Sequence, residues 1–371
     1  MIYLFLGDIS AKGGVERVTI SLANGLAKHY EVAIVSLYKN QEELSFFPVK
    51  DVNVLTLNKN EISMYNRRLG FLKGAFFDIK YINRKLKELN QLNINITKKD
   101  ILISCDIKMS ILLYRLNKKY DARIIAIEHF EHDIGNFILK KIRTLLYPKL
   151  SAVVSLTDED SIKYLSWLPK NKHKIIPNIV YKQESVISEI SPIKCSTKIA
   201  LAIGRLSYQK GFDLLLEAWA RANTDGWLLR IIGDGEEKNN LINQASKLKI
   251  ENYEIIPFQN EIEIQYAKAE IFILSSRFEG LGMVLIEALS HGLACISFDC
   301  PAGPKTIINN GNGILVPVGN IDELASSISY LMNNDNVRNE MKEKGILSIE
   351  RFSEKAVIDE WRLMLNELEK K

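Results

Sequence analysis

The sequence predicts an α/β protein of two domains, each a mostly parallel sheet covered by helices on both faces. Three observations carry this expectation. The chain has 371 residues, more than one hydrophobic core ordinarily supports, so two units of roughly 170–200 residues are expected. Short apolar runs alternate with longer segments of helical periodicity, the succession a parallel sheet requires. Each half also opens with an apolar run followed by a glycine-bearing turn and a helix. The composition, 47% hydrophobic and 25% charged, excludes a disordered chain.

In the first half a strand at 2–6 leads into Ala11-Lys12-Gly13-Gly14-Val15-Glu16 and a helix over 15–29, where Val18, Leu22, Ala23 and Leu26 recur at helical spacing. Strands are expected at 31–37, 52–57, 100–104, 123–127 and 152–156. The second half has strands at 198–203, 227–232, 253–256, 271–274, 294–298 and 313–316, with helices over 211–220, 237–248, 261–267 and 283–291. Periodicity is interrupted between 177 and 194, where the boundary is expected. This gives domains over 1–180 and 195–350, followed by a terminal segment, 351–371, whose helix (353–368) can pack on either. Sheets of this kind bind ligands beyond the carboxyl ends of their strands, so facing domains would create a cleft.

The formal charge of +4 does not argue for nucleic acid. Local patterning says more. Lys140, Lys141, Arg143 and Lys149 occur without acids among apolar residues, and Arg67, Arg68, Lys73, Lys80, Arg84, Lys85 and Lys87 form a second basic stretch. Such segments suit an anionic leaflet, or are solvated helices with an ordinary buried face. The four cysteines form no metal-type pair, which favours a reducing compartment. The apolar opening lacks a basic leader and reads as a strand, and no apolar run is long enough to span a bilayer.

Several groups at expected strand exits suit chemistry on a charged ligand. Gly13 and Gly14 let backbone approach a ligand, although the GxGxxG fingerprint of dinucleotide binding is absent. Gly204, Arg205 and Lys210-Gly211 follow the first strand of the second half. There a guanidinium and an ammonium can neutralise a diphosphate, or serve as solvated loop cations. Gly233-Asp234-Gly235 is a tight turn that can also touch a ligand. In the run from Ser275 to Leu289, Glu279 precedes Gly280, Leu281 and Gly282, and Glu287 interrupts an apolar helix eight residues later. One carboxylate can face a sugar while the other accepts from ribose hydroxyls, with backbone amides from Gly280 to Met283 and Val284 turned to phosphate. Alternatively the two are salt-bridged or exposed. His129 leaves a first-half strand beside Glu128; with His132 and Asp133 it lacks a fourth metal ligand, so no metal is expected. Asp299-Cys300-Pro301-Ala302-Gly303-Pro304 is a rigid turn whose Gly303 can approach phosphate.

Together, Gly13-Gly14-Val15-Glu16-Arg17, Pro177-Asn178, Gly204-Arg205 with Lys210-Gly211, Gly233-Asp234-Gly235 and the E-x7-E pair Glu279 and Glu287 resemble the retaining glycosyltransferases of family 4, in order and over nearly the whole chain. The resemblance implies a GT-B fold of two facing Rossmann-like domains, with acceptor in the first, nucleotide sugar in the second, and a terminal helix returning to the first. It implies that Arg205 and Lys210 bind the diphosphate, Glu279 lies at the donor sugar, Glu287 holds the ribose and His129 is the active-site histidine. It further implies no cofactor or obligatory metal. The expected partners are a UDP-linked hexose or N-acetylhexosamine, a glycan acceptor such as a polyprenyl-diphosphate glycan, and an anionic membrane surface. The setting expected is bacterial lipopolysaccharide or capsule synthesis at the inner face of the cytoplasmic membrane. A nucleotide-sugar epimerase or hydrolase is a second reading, distinguished by epimer or free nucleotide formed without acceptor; a non-catalytic subunit is a third. The family pattern is departed from at Phe258-Gln259-Asn260, where many relatives have glycine after the phenylalanine.

Overall fold

A computed structural model of the chain describes residues 1–11, 13–44, 46–59, 71–91, 94–129, 137–181, 197–259 and 261–370. Lys12, Arg67, Arg68, His132, Asp133, Asn260, Cys195 and most of the interrupted stretch at 177–194 lie outside them. So does the side chain of Lys73. The described chain forms two compact units.

The first unit comprises Met1–Leu156, Asp160–Ile179 and Ile358–Lys371. Its sheet holds β1 (Ile2–Asp8), β2 (Val32–Lys39), β3 (Val52–Lys59), β4 (Ile101–Ser104), β5 (Arg123–Ile127), β6 (Ala152–Ser155) and β7 (His173–Ile175), in the order β3-β2-β1-β4-β5-β6-β7. Every neighbouring pair is parallel. Consecutive residues such as Leu4 and Phe5, Ile34 and Val35, or Val153 and Val154 are all fully buried. Burial at both odd and even positions is what a sheet sandwiched between helices requires, and it explains runs of apolar residues in place of alternation. The helices are α1 (Gly14–Ala27), α2 (Phe71–Gln91), α3 (Ile107–Leu116), α4 (Phe137–Leu146) and α5 (Asp158–Leu165).

The second unit comprises Thr157–Glu159 and Val180–Val357. Its strands β8 (Lys198–Ile203), β9 (Trp227–Ile232), β10 (Tyr253–Ile256), β11 (Ile271–Leu274), β12 (Ala294–Phe298) and β13 (Gly313–Val316) run in the order β10-β9-β8-β11-β12-β13, all parallel. The helices are α6 (Phe212–Arg221), α7 (Lys238–Lys247), α8 (Ile262–Lys268), α9 (Met283–Ser290), α10 (Pro304–Ile307), α11 (Ile321–Asn333) and α12 (Asp335–Ser348); the last helix, α13 (Glu354–Glu369), only begins in this unit. The core centres on Trp219, Leu215, Leu229, Ile231, Ile273 and Phe298.

Both strand orders contain a reversal. In the second sheet the chain builds outward from β8 through β9 and β10, then returns to the other side of β8 as β11, with Ile271 opposite Ala200 and Phe272 opposite Leu201. The loops leaving β8 and β11 therefore emerge side by side, as do those leaving β1 and β4 in the first sheet. Such switch points are where doubly wound sheets bind ligands.

The last helix returns to the first unit from Ile358 onward. Its buried Val357, Ile358, Trp361, Met364, Leu365 and Leu368 form one stripe at helical spacing. A side chain on Gly25 of α1 would collide with Ile358, and Lys174 Nζ lies 2.8 Å from Glu367 Oε2. Thr157–Glu159, by contrast, counts with the second unit, which periodicity gave no reason to expect. One residue of the second basic stretch is interior. The side chain of Lys85 is fully buried, 2.8 Å from Glu88 Oε2 and 4.3 Å above the ring of Tyr38, because α2 turns it toward an acid and an aromatic face that compensate its lost hydration.

Candidate active site

At the switch point of the second sheet the two adjacent loops are tied together atom by atom. After β8 the chain passes Gly204 and Arg205, makes a 3-10 turn over Tyr208–Lys210, and enters α6 through Gly211 in the left-handed region (φ 62). After β11 it passes Ser275, Ser276, Arg277 and Phe278 to Glu279. Ser275 Oγ donates to the Lys210 carbonyl (3.0 Å), the Arg277 N–H to the Gln209 carbonyl (2.8 Å), and Gln209 Nε2 to the Phe278 carbonyl (3.0 Å). Only glycine fits at 211, since a Cβ there would overlap the Ser275 carbonyl.

These ties bring Lys210 and Glu279, 69 residues apart, into contact: Nζ lies 2.6 Å from Oε1. Ser276 Oγ donates to the same oxygen at 2.6 Å. Glu279 is buried and Lys210 nearly so. A side chain at Gly204 would press on the stem of Lys210 at 3.1 Å, and one at Gly233 would overlap the Gly204 carbonyl. The two glycines thus let the β8 and β9 exits close around the lysine. Asp234 holds the surroundings: its carbonyl accepts from the Leu206 N–H (2.9 Å) and its carboxylate from the Phe258 N–H (3.0 Å).

Arg277 carries no role that its spacing announces, yet it is the centre of this assembly. Its guanidinium grips Asp213 through two bonds of 2.8 and 2.6 Å, donates to the Tyr208 carbonyl at 2.7 Å and lies 4.0 Å from the centre of the Tyr208 ring. A planar fork can make all these contacts at once, whereas an ammonium cannot.

The other expected donor residues lie as follows. Arg205 is exposed and pairs with Glu236 at 3.1 Å. Gly280 is half-buried and Leu281 buried, and Gly282 caps α9 in the left-handed region (φ 83). Met283 and Val284 form its first turn. Glu287 is buried in α9 and accepts from the Tyr266 hydroxyl at 2.9 Å; the Tyr266 ring stacks on His291 at 4.9 Å. Tyr266 was not anticipated, although a tyrosine one turn before an apolar strand is the signal that could have marked it.

In the first unit, Gly14 is the exposed first residue of α1, and a side chain there would meet nothing within 4 Å, so packing does not demand this glycine. His129 follows β5, whose exit is fixed by a bond from the Glu128 N–H to the Val154 carbonyl (3.0 Å). Both ring nitrogens are out of solvent and, among the described residues, have no hydrogen-bond partner. Burial pushes its pKa down to about 4, which keeps the imidazole neutral at physiological pH. Glu128 points into the interior, where Arg143 Nη2 lies 3.1 Å away and the Tyr147 hydroxyl donates to it. Arg143 is therefore not part of a basic surface. Charge counting along α4 missed this because the partner lies in another element.

Two Rossmann-like units, each a parallel sheet flanked by helices, are the architecture of GT-B glycosyltransferases. Solved structures share it across almost the whole chain: a mutant of S. aureus TarM in complex with fondaparinux, α-GlcNAc-glycerol and UDP (TM-score 0.77, 16% identity, 98% of this chain and 99% of that one) and Anabaena HepE in complex with UDP (0.76, 17%, 99% and 100%). Residues 183–347 match the family described as glycosyl transferases group 1. An uncharacterized glycosyltransferase of Haemophilus influenzae is 32% identical over 97% of this chain and 98% of its own length. The amylovoran biosynthesis glycosyltransferase AmsD of Erwinia amylovora is 26% identical (98% and 99%). So is the N-acetylgalactosamine-N,N'-diacetylbacillosaminyl-diphospho-undecaprenol 4-alpha-N-acetylgalactosaminyltransferase of Campylobacter jejuni (90% and 90%). The chain belongs to this glycosyltransferase family.

The grip of Arg277 on Asp213 predicts a stability cost. Arg277→Ala should destabilise the second unit by about 1–3 kcal/mol, and Arg277→Lys should recover less than half of that. Urea unfolding of the three proteins measures it; equal midpoints for arginine and alanine would refute the clamp.

Proposed function

We propose that this glycosyltransferase moves a hexose or N-acetylhexosamine from a UDP-sugar, with retention of configuration, to a lipid-linked or oligosaccharide acceptor in the synthesis of a bacterial surface glycan. The observation that carries the reading is the Lys210–Glu279 contact at the second switch point. It sets an ammonium, suited to a diphosphate, against a buried carboxylate with a second oxygen to offer a sugar hydroxyl. Arg205 joins the diphosphate by leaving its exposed, solvent-screened pair with Glu236. Backbone N–H groups from Gly280 to Val284, at the start of α9, complete the anion site. Glu287, held by Tyr266, takes the ribose hydroxyls. His129 is the catalytic histidine, serving the transferred sugar or the acceptor side, and Gly14 serves the donor.

In the transfer itself the bond from the sugar's anomeric carbon to the diphosphate oxygen breaks. Lys210 and Arg205 stabilise the charge that gathers on the leaving group. The acceptor hydroxyl attacks from the same face, and its proton passes to the departing oxygen, which conserves configuration. The preference for UDP follows the UDP present with TarM and HepE, and a lipid-linked acceptor follows the undecaprenol-linked acceptor named for the Campylobacter relative.

The same proposal has the enzyme work at an anionic leaflet. No helix of the described residues is long and apolar enough to cross a membrane. Helix α4, however, exposes Phe137 (79%), Ile138 and Leu145 (61%) beside Lys141 on its outward side. Aromatic and aliphatic groups flanked by lysine suit the interface of an acidic bilayer.

Incubation with a panel of UDP- and GDP-sugars and short polyprenyl-diphosphate glycans should consume one UDP-sugar and give a product of retained configuration. Lys210→Ala should lower kcat/KM by about 100-fold or more. Inverted product, or nucleotide released at the same rate without acceptor, would contradict the proposal. In flotation, vesicles containing phosphatidylglycerol should carry the protein at low salt, and Phe137→Ser/Leu145→Ser should weaken this. Equal flotation of the double variant, or of the native protein with purely zwitterionic vesicles, would remove α4 from the account.

A further inference from the structure

The buried pair of Glu128 and Arg143 has no part in the transfer as described, and its surroundings are unusual for a stability device. Arg143 Nη2 and Glu128 Oε2 are 3.1 Å apart, both nearly inaccessible, and the Tyr147 hydroxyl donates to the other carboxylate oxygen. Asp106, Asp160 and Tyr164 are the further titratable groups whose fields reach this pair. Burial dominates and pushes the Glu128 carboxyl up to about 7, with Arg143 opposing. Burying two ions costs several kcal/mol that their attraction barely returns, so such a pair is weak support for a fold and better suited to fixing one arrangement.

The arrangement it fixes is the exit of β5. Glu128 is the first residue after that strand, its N–H bound to Val154, and His129 is the next. Glu128 is thus tied twice, by its N–H to Val154 and by its carboxylate to α4, which fixes the backbone from which the following imidazole springs. That imidazole has no hydrogen bond of its own among the described residues, so nothing else described orients it through a polar contact.

We infer that Glu128, held by Arg143 and Tyr147, is a positioning residue that keeps the His129 imidazole dry and aimed toward the acceptor side. The inference rests on the reading of His129 as an active-site residue.

The decisive variant removes both charges, because removal of one would leave the other buried and unpaired and threaten folding. Glu128→Gln/Arg143→Met should keep the thermal midpoint within a few degrees and bind UDP, measured by calorimetry, with an unchanged Kd. Its His129 should nevertheless gain solvent. With 13C-labelled histidine, and His129→Asn to assign the signal among the five histidines, the native imidazole should titrate near 4 and that of the double variant closer to 6.5. Burial alone holds the native value down, so an upward shift reports water entry. The transfer kcat should fall at least tenfold with donor KM unchanged. A folded double variant with native His129 titration and native kcat would overturn the inference. If the double variant fails to fold, Glu128→Asp and Arg143→Lys, which keep the charges but alter their reach, should each shift the His129 titration; no shift in either would overturn it equally. His129→Ala with native turnover would instead overturn the reading of His129 itself, whereas an inactive His129→Ala beside a fully active double variant would refute only the positioning role.

Discussion

The contact between Lys210 and Glu279 is the constraint on which the rest of the candidate site depends. It joins residues 69 apart in the chain, and it exists because the second sheet reverses its strand order between β8 and β11. The reversal sets two loops side by side, and hydrogen bonds from Gln209 and Lys210 to Ser275, Arg277 and Phe278 remove their freedom. What remains is an ammonium and a carboxylate with their stems fixed by Gly204, Ser276 and Arg277. A site prepared in this way meets a charged ligand with little reorganisation, which is the physical basis of preorganised catalysis.

The strands were legible in the sequence because a parallel sheet covered on both faces is written as unbroken apolar runs. Those at 198–203, 227–232, 271–274 and 294–298 have the predicted limits. The short β7 was missed, since three residues containing a histidine and a lysine carry no apolar run. Helices α11 and α12 were missed as well, although Asn320 caps α11 by accepting from the Glu323 N–H at 3.2 Å, a signal present in the sequence as Asn followed three residues later by Glu. The buried stripe of α13 was visible, but periodicity does not carry the address of the surface it covers.

In the site, the types of residue were legible and their partners were not. Glu279, Lys210 and the glycines stood out because charge and absent side chains at strand exits are local features. The role of Arg277 depends on Asp213, in a different helix, and so is invisible to spacing. The same reason explains the basic stretches. Lys85 and Arg143 count as surface cations in a linear reading, yet each is interior because an acid waits there, Glu88 within the same helix and Glu128 at the exit of β5. Arg205 is the reverse case: an exposed cation in a weak surface pair, which leaves it free to be recruited.

A crystal structure with UDP bound tests the central claim most directly. The account predicts diphosphate oxygens within about 3.2 Å of Lys210 Nζ and the ribose hydroxyls on Glu287. UDP bound away from the β8 and β11 exits, with Lys210 and Glu279 untouched, would contradict it.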